Sequence, residues 1–223
     1  MVVRQTRMIA LLLVATIIVA GLAAIWWFGP QARFVVAHDR AGNVRFALSS
    51  ERAAVLYIVY AAGFSLVLDR ASRIRRWRRN IVRAGGAFAI GWLGALTLVL
   101  ASQAMAWAQA LGRPIDRDTG FAVAVALIVL LKANLLPKSR PAWFNGTALP
   151  LFAPDPVVWR RVHHASALRL TAVAVSILVL AATHPPALDL RSTVLWLLIG
   201  EISLATVHAR YLSGASCRRA AQS

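Results

Sequence analysis

The sequence predicts an all-α fold: a polytopic membrane helix bundle of about six transmembrane helices, with both termini cytoplasmic. Three observations lead there. The chain of 223 residues is 59% hydrophobic with a mean hydropathy of +0.65, far more apolar than an ordinary soluble domain. It nevertheless carries a formal charge of +17. Those facts conflict in a soluble globule and agree in a helical membrane protein whose cations collect in the loops. Finally, the apolar residues fall into six segments, at 8–28, 53–68, 84–108, 121–136, 168–183 and 193–212, separated by polar, arginine-rich stretches.

The first segment follows Arg4 and Arg7 and ends in Trp26-Trp27-Phe28. Its apolar run exceeds the 7–15 residues of a secretory signal core, and the aromatic end suits a membrane–water belt, so an uncleaved helix is expected. The loop up to the second segment contains His38 and Asp39, with a turn at Ala41-Gly42-Asn43, because Gly and Asn tolerate positive φ. Two adjacent residues do not make a metal site, and the loop reads as solvated. About 20 apolar residues cross a bilayer. The second, fourth and fifth segments are short and must recruit flanking residues.

Between segments two and three lies the densest charge run, residues 69–83, with seven arginines. Ile74, Trp77 and Ile81 follow helical spacing, so this linker would lie in the headgroup layer against anionic lipid. Docking of an acidic cytosolic partner is the alternative. Nucleic acid is not expected, since a run flanked by two membrane entries cannot lie along a groove. Segment three carries Ala87, Gly91 and Ala95, a small-residue ridge suited to helix packing, and Ser102 and Gln103. Glu201 falls near mid-depth of segment six, with Gln103 and Ser102 as its expected neighbours. A carboxylate at that depth costs about 2.5–3.5 kcal/mol and must face the interior. His208 is on the same face at i+7, about 10 Å further along, too distant to pair. Lys132, a turn from the end of segment four, can snorkel out. The single cysteine, Cys217 in the basic tail, excludes an internal disulfide framework.

Orientation follows from cation placement. With the N-terminus inside, 18 of the 25 Lys and Arg lie on inner segments, and Asp39, Glu51, Asp116, Asp118 and Asp189 lie outside. Lys/Arg bias sets topology, which puts both termini in the cytoplasm. No internal repeat is present. One membrane domain divides into a helix pair with its outer loop and basic linker, 1–83, and a four-helix unit, 84–223, with a cytoplasmic loop at 132–168.

That loop reads Asn134-Leu-Leu-Pro137-Lys138-Ser-Arg140-Pro141-Ala-Trp143-Phe144-Asn-Gly146, then Pro150, then Trp159-Arg160-Arg-Val-His163. Residues before proline avoid the α region, so its backbone is stiff and extended. Trp143, Phe144 and Trp159 suit the water–bilayer boundary, and Lys138, Arg140, Arg160 and Arg161 suit phosphates. The reading left open is a loop packed under the bundle against a recognition or gating element. No H-E-x-x-H, Walker A or G-x-S-x-G motif occurs, and no nucleophile lies at a recognisable spacing from a base. An enzyme, a cofactor and a metal are therefore not expected.

The loop resembles the signature of the SdpI family of bacterial membrane immunity proteins, roughly G-N-x-x-P-K-x-R-P-N-W-F-x-G-I-R-T-P-W-T-L with W-R-x-x-H following. Asn134, Pro137, Lys138, Arg140, Pro141, Trp143, Phe144, Gly146, Pro150, Trp159, Arg160 and His163 match it in order, with 15 residues from Phe144 to Trp159. Upstream, His38, Gly42 and Ser49 are similar to a small domain that often precedes that signature. The chain departs from the pattern in the heptad 147–153, where Ala148 and Leu151 replace an Arg and a Trp, and at Ala133, which replaces a Gly. The resemblance implies a multi-pass protein of the bacterial inner membrane that protects against a secreted membrane-active peptide toxin and relays its presence to a cytosolic regulator. The sequence names neither toxin nor regulator, and it leaves the oligomeric state open. The alternative is a small secondary transporter or proton-coupled carrier using Glu201, which paired broken helices would favour; none is evident.

Overall fold

A computed structural model describes residues 2–38, 44–113, 115–138, 156–183 and 189–220. In chain order the elements are α1 (Val2–Phe28), β1 (Arg33–His38), β2 (Val44–Ser49), α2 (Ser50–Arg73), α3 (Arg75–Ala84), α4 (Gly86–Ala110), α5 (Arg117–Leu135), a 3-10 turn (Leu136–Lys138), α6 (Pro156–Thr183) and α7 (Leu190–Ala220). All of these helices except α3 are long and apolar enough to cross a membrane. The fold is the expected all-α polytopic bundle. The three short apolar segments do extend into their flanks, as α2, α5 and α6.

Leu11, Leu12, Val19, Leu22, Val59, Val67, Val179, Leu204 and Val207 are all more than half exposed. In water such a surface would drive association; in a bilayer it is the lipid-facing coat. Trp26 and Trp27, 82% and 68% exposed, close α1 with the rings an interfacial belt needs.

One face of the bundle carries β1–β2 (the hairpin face); the opposite face carries Val2 and Ala220 (the terminal face). Sequence-adjacent helices pack as neighbours: α1 on α2 and α4, then α4 on α5, α5 on α6, and α6 on α7. Two cores result. Ile17, Ala61, Ile81, Phe88, Trp92 and Leu96 join α1, α2, α3 and α4. Val125, Val129, Leu136, Leu170, Ile177 and Val194 join α5, α6 and α7. The small-residue ridge expected on α4 is only partly a packing face. Ala87 is buried and Ala95 half-buried, but Gly91 is exposed, and the larger contact residues are Phe88, Trp92, Leu96, Val99 and Gln103. The close approach uses Gly94, where a Cβ would meet Ile128 Cγ2 of α5 at 2.9 Å. A ridge of small residues marks an interface only where a neighbour covers it, and α5 covers Gly94, about 60° around the helix from Gly91.

The polar ties are few. Trp92 Nε1 donates to Ser65 Oγ at 3.2 Å. At the terminal face Arg7 of α1 reaches Asp69 of α2 at 2.7 Å, and Asp69 also meets Arg73 at 2.8 Å. The basic linker forms α3, with Ile81 buried and Trp77 and Ile74 exposed beside its arginines. Only part of the expected apolar stripe therefore enters the core.

The loop between α1 and α2, expected as solvated, contains an antiparallel pair, with Phe34 opposite Leu48 and His38 opposite Val44. Its anchor is Phe34, 5% exposed, which meets Phe28 edge-on at 5.5 Å. Trp107 packs edge-on against Phe28 in turn. Ser49 Oγ accepts from Arg52 N and caps α2.

At the same face Asp189 precedes α7. Its carboxylate accepts from Ser192 Oγ at 2.8 Å and from the Arg191 and Ser192 backbone N–H groups. The Ser192 hydroxyl first, then those N–H groups and the Arg191 charge, hold its pKa below the usual 3.8. A depressed folded pKa stabilises above the unfolded value and is lost as pH falls through the folded one. Asp189→Ala removes this cap of α7 and is expected to cost about 0.5–1 kcal/mol at neutral pH, most of it from the lost hydrogen bonds, since so exposed a charge is strongly screened. In detergent-solubilised protein, the gap between variant and wild-type unfolding midpoints should close as pH drops below 3.8.

Candidate functional site

The residues singled out in the sequence divide sharply. Arg140, Pro141, Trp143, Phe144, Gly146 and Pro150 lie outside the described residues, as does Gly42, and His38 is described only as the end of β1. Asn134 is exposed on the last turn of α5. Pro137 is half-buried and Lys138 exposed in the 3-10 turn that follows. Arg160 is exposed on α6, whereas Trp159 and His163 are 1% and 0% exposed.

Trp159 and His163 form one unit. They are four residues apart on α6 and so share a face. Their rings stack with centroids 3.9 Å apart at 20°. His163 Nδ1 donates to the Trp159 carbonyl at 2.9 Å. A carbonyl can only accept, so the proton sits on Nδ1 and Nε2 is left as an acceptor. That Nε2 is buried and has no hydrogen-bond partner among the described residues. Trp159 packs with Val158, Val162 and Ala209 against the C-terminal part of α7. The boundary position expected for Trp159 is therefore corrected. It does lie near the end of the span, but it turns into the α6–α7 interface, because the apolar side of this first turn of α6 faces α7 and not lipid.

The same face continues to Ser166 and Arg169. Arg169 Nε donates to Glu201 Oε2 at 2.7 Å and its Nη2 reaches Glu201 Oε1 at 3.3 Å, a two-donor fork across to α7. Arg169 Nη2 also donates to Ser166 Oγ at 2.9 Å. The Glu201 side chain is 1% exposed and that of Arg169 is 31% exposed. At about 1.5 Å rise per residue, Arg169 lies about 21 Å from the hairpin-face end of α6, and Glu201 about 16 Å from that of α7. In a hydrocarbon layer about 30 Å thick the pair sits at mid-depth. It forms the polar part of an open groove of about 580 Å3 walled by Val173, Trp196, Leu197 and Leu204.

Two sequence expectations fail here. Glu201 does not neighbour Gln103 or Ser102. Its partner is Arg169, because α7 packs on α6 and α5 whereas α4 turns its Gln103 face to α1. Gln103 Nε2 donates instead to the Ile17 carbonyl of α1 at 3.3 Å. Arg169, counted with the loop cations, is an intramembrane residue, since α6 starts twelve residues before the apolar run at 168. Sequence reasoning missed Arg169 and Ser166 as site residues. A signal existed: Arg169 and Glu201 stand at similar distances from the loop joining α6 to α7, so a helical hairpin brings them level.

The arrangement is a polar seam down α6, Trp159–His163–Ser166–Arg169, closed on α7 by Glu201. Among the described residues no three His, Cys, Asp or Glu side chains gather as metal ligands. No family model, curated protein or solved structure matches the chain.

Proposed function

We propose that the protein is an integral membrane immunity and signal-transduction protein of the bacterial cytoplasmic membrane, protecting its cell against a secreted membrane-active peptide. The observation that carries this reading is the buried Trp159–His163 unit. These two residues end the loop pattern similar to the SdpI signature, and they sit at the root of that loop, packed on α7, with the Arg169–Glu201 pair about two turns further along α6. In this reading the hairpin face is extracellular and meets the peptide. The terminal face, with α3, Lys138 and Arg160, is cytoplasmic, where anionic lipid and a regulator would be met; the Lys/Arg bias supports that orientation. A displacement of α7 against α6 would be felt at the loop through the seam.

Glu201 beside an open mid-membrane groove favours a second reading, a proton-coupled carrier. The Arg169 fork weighs against it, since it engages both carboxylate oxygens in a tie between α6 and α7.

The signature residues are tested by survival of a sensitive bacterial host challenged with secreted killing peptides. At equal membrane levels, His163→Asn is expected to lower protection at least tenfold. Arg160→Ala, an exposed change that leaves packing intact, is expected to lower it too. Full protection by both variants would remove the signature from the mechanism.

A further inference from the structure

At the hairpin face the two halves of the bundle do not close on each other. Between β1–β2, α2 and α4 on one side and the first turns of α5 and α7 on the other lies a cavity of about 240 Å3. Its apolar wall is chiefly Phe34, Leu48, Leu56, Tyr57, Met105 and Phe121, and its charged lining is Arg117 and Arg191. Arg191 Nε is held by Asp118 at 2.5 Å, and the guanidinium keeps further N–H donors beyond that pair. The other carboxylates at these helix starts, Asp116 and Asp189, accept from the first-turn groups of α5 and α7. Among the described residues, the cavity wall thus holds two cations and no carboxylate.

A narrower cavity, about 10 Å3, adjoins it and shares Phe34, Ala53, Tyr57 and Ala106. Gln103, 2% exposed, lines it. Its Nε2 is used on Ile17, and its Oε1 has no hydrogen-bond partner among the described residues. A buried acceptor left unpaired is costly, and the site asks for a donor. Gln103 lies seven residues inside the end of α4, about 10 Å below that end, and the arginines stand on the first turns of α5 and α7 at the same face. That depth matches one large side chain with a hydrogen bond of about 3 Å at each end. The volume is below the roughly 300–1,000 Å3 of pockets that hold drug-sized molecules, so one side chain is what it admits.

We propose that this cavity receives the carboxyl-terminal aromatic residue of an apolar peptide. Its carboxylate lies at Arg117 and Arg191, its ring among the apolar wall residues, and its indole N–H or phenol O–H donates to Gln103 Oε1. This rests on the immunity reading and names where and by which end the peptide is taken. Arginine binds a carboxylate by matched N–H donors, and a tryptophan or tyrosine ring is apolar with one polar tip. A fatty acid offers the carboxylate but no donor for Gln103.

The test is equilibrium binding to the full chain in lipid nanodiscs, with radiolabelled N-acetyl-Leu-Leu-Trp as probe. The free acid is expected to bind saturably, its carboxamide at least tenfold more weakly, and N-acetyl-Leu-Leu-Phe several-fold more weakly. Arg191→Gln, a change at a 43%-exposed side chain, should abolish the acid-over-amide preference. Gln103→Leu, close in volume, should abolish the Trp-over-Phe preference. Absence of saturable binding, equal binding of acid and amide, or equal displacement by dodecanoate would overturn the proposal. Protection is read separately. A protein that protects yet ignores the probe loses this cavity assignment alone, and one that binds the probe yet protects against nothing loses the immunity reading alone.

Discussion

Arg169→Ala is expected to destabilise the protein by about 3–5 kcal/mol, because it leaves Glu201 buried at mid-membrane without the counter-charge that α6 gives it. That would shift the unfolding equilibrium more than a hundredfold, at 1.4 kcal/mol per decade. The loss reflects an orphaned carboxylate more than the strength of the pair. Arg169→Met with Glu201→Met, which removes both charges and keeps volume, is therefore expected to recover most of the stability. Glu201→Gln should be intermediate, since its amide oxygen still accepts from the fork while its charge is gone. Denaturation of the detergent-solubilised protein across this double-mutant cycle measures the coupling. A double variant as unstable as the single one would mean that Arg169 acts through something other than Glu201.

Trp159→Ala should cost a similar amount, about 3–5 kcal/mol, for a different reason. The ring is 1% exposed and fills the space between α6 and the end of α7, so its removal leaves a cavity bounded by Val158, Val162 and Ala209. It also removes the face on which His163 stacks. Trp159→Phe keeps an aromatic surface and should cost less. The checking measurement is again the unfolding midpoint, with His163 reactivity toward diethyl pyrocarbonate as a local readout. Reactivity should rise in Trp159→Ala and stay low in Trp159→Phe.

Much of the fold was legible in the chain because lipid imposes a simple rule: about 20 apolar residues per crossing, with polar runs between. That rule places all six spans. It places their ends less well, since α6 begins at Pro156 although its first twelve residues are polar or mixed. A helix started by proline and stabilised by packing on α7 needs no apolar run to propagate. The hairpin was not legible because its signal is two six-residue strands whose order depends on Phe34 finding Phe28 and Trp107, a tertiary contact.

The site was legible in part. Trp159 and His163 stood out by type and spacing, and helical periodicity puts them on one face. Their burial did not follow from sequence, since a Trp beside arginines reads equally as an interfacial ring. Glu201 was conspicuous as a carboxylate in an apolar run, yet its partner depends on which helices pack together. Depth alone suggested Gln103; the packing order selects Arg169. The small residues of α4 show the same limit, as Gly94 and not Gly91 meets the neighbouring helix.

The central claim is protection, and the most direct measurement is survival of a sensitive bacterial strain, with and without this protein in its membrane, across a panel of secreted membrane-active peptides. The account predicts that the protein raises survival at least tenfold against one peptide and leaves the others unchanged. Equal killing with and without it across the panel, at verified membrane levels, would contradict the immunity reading.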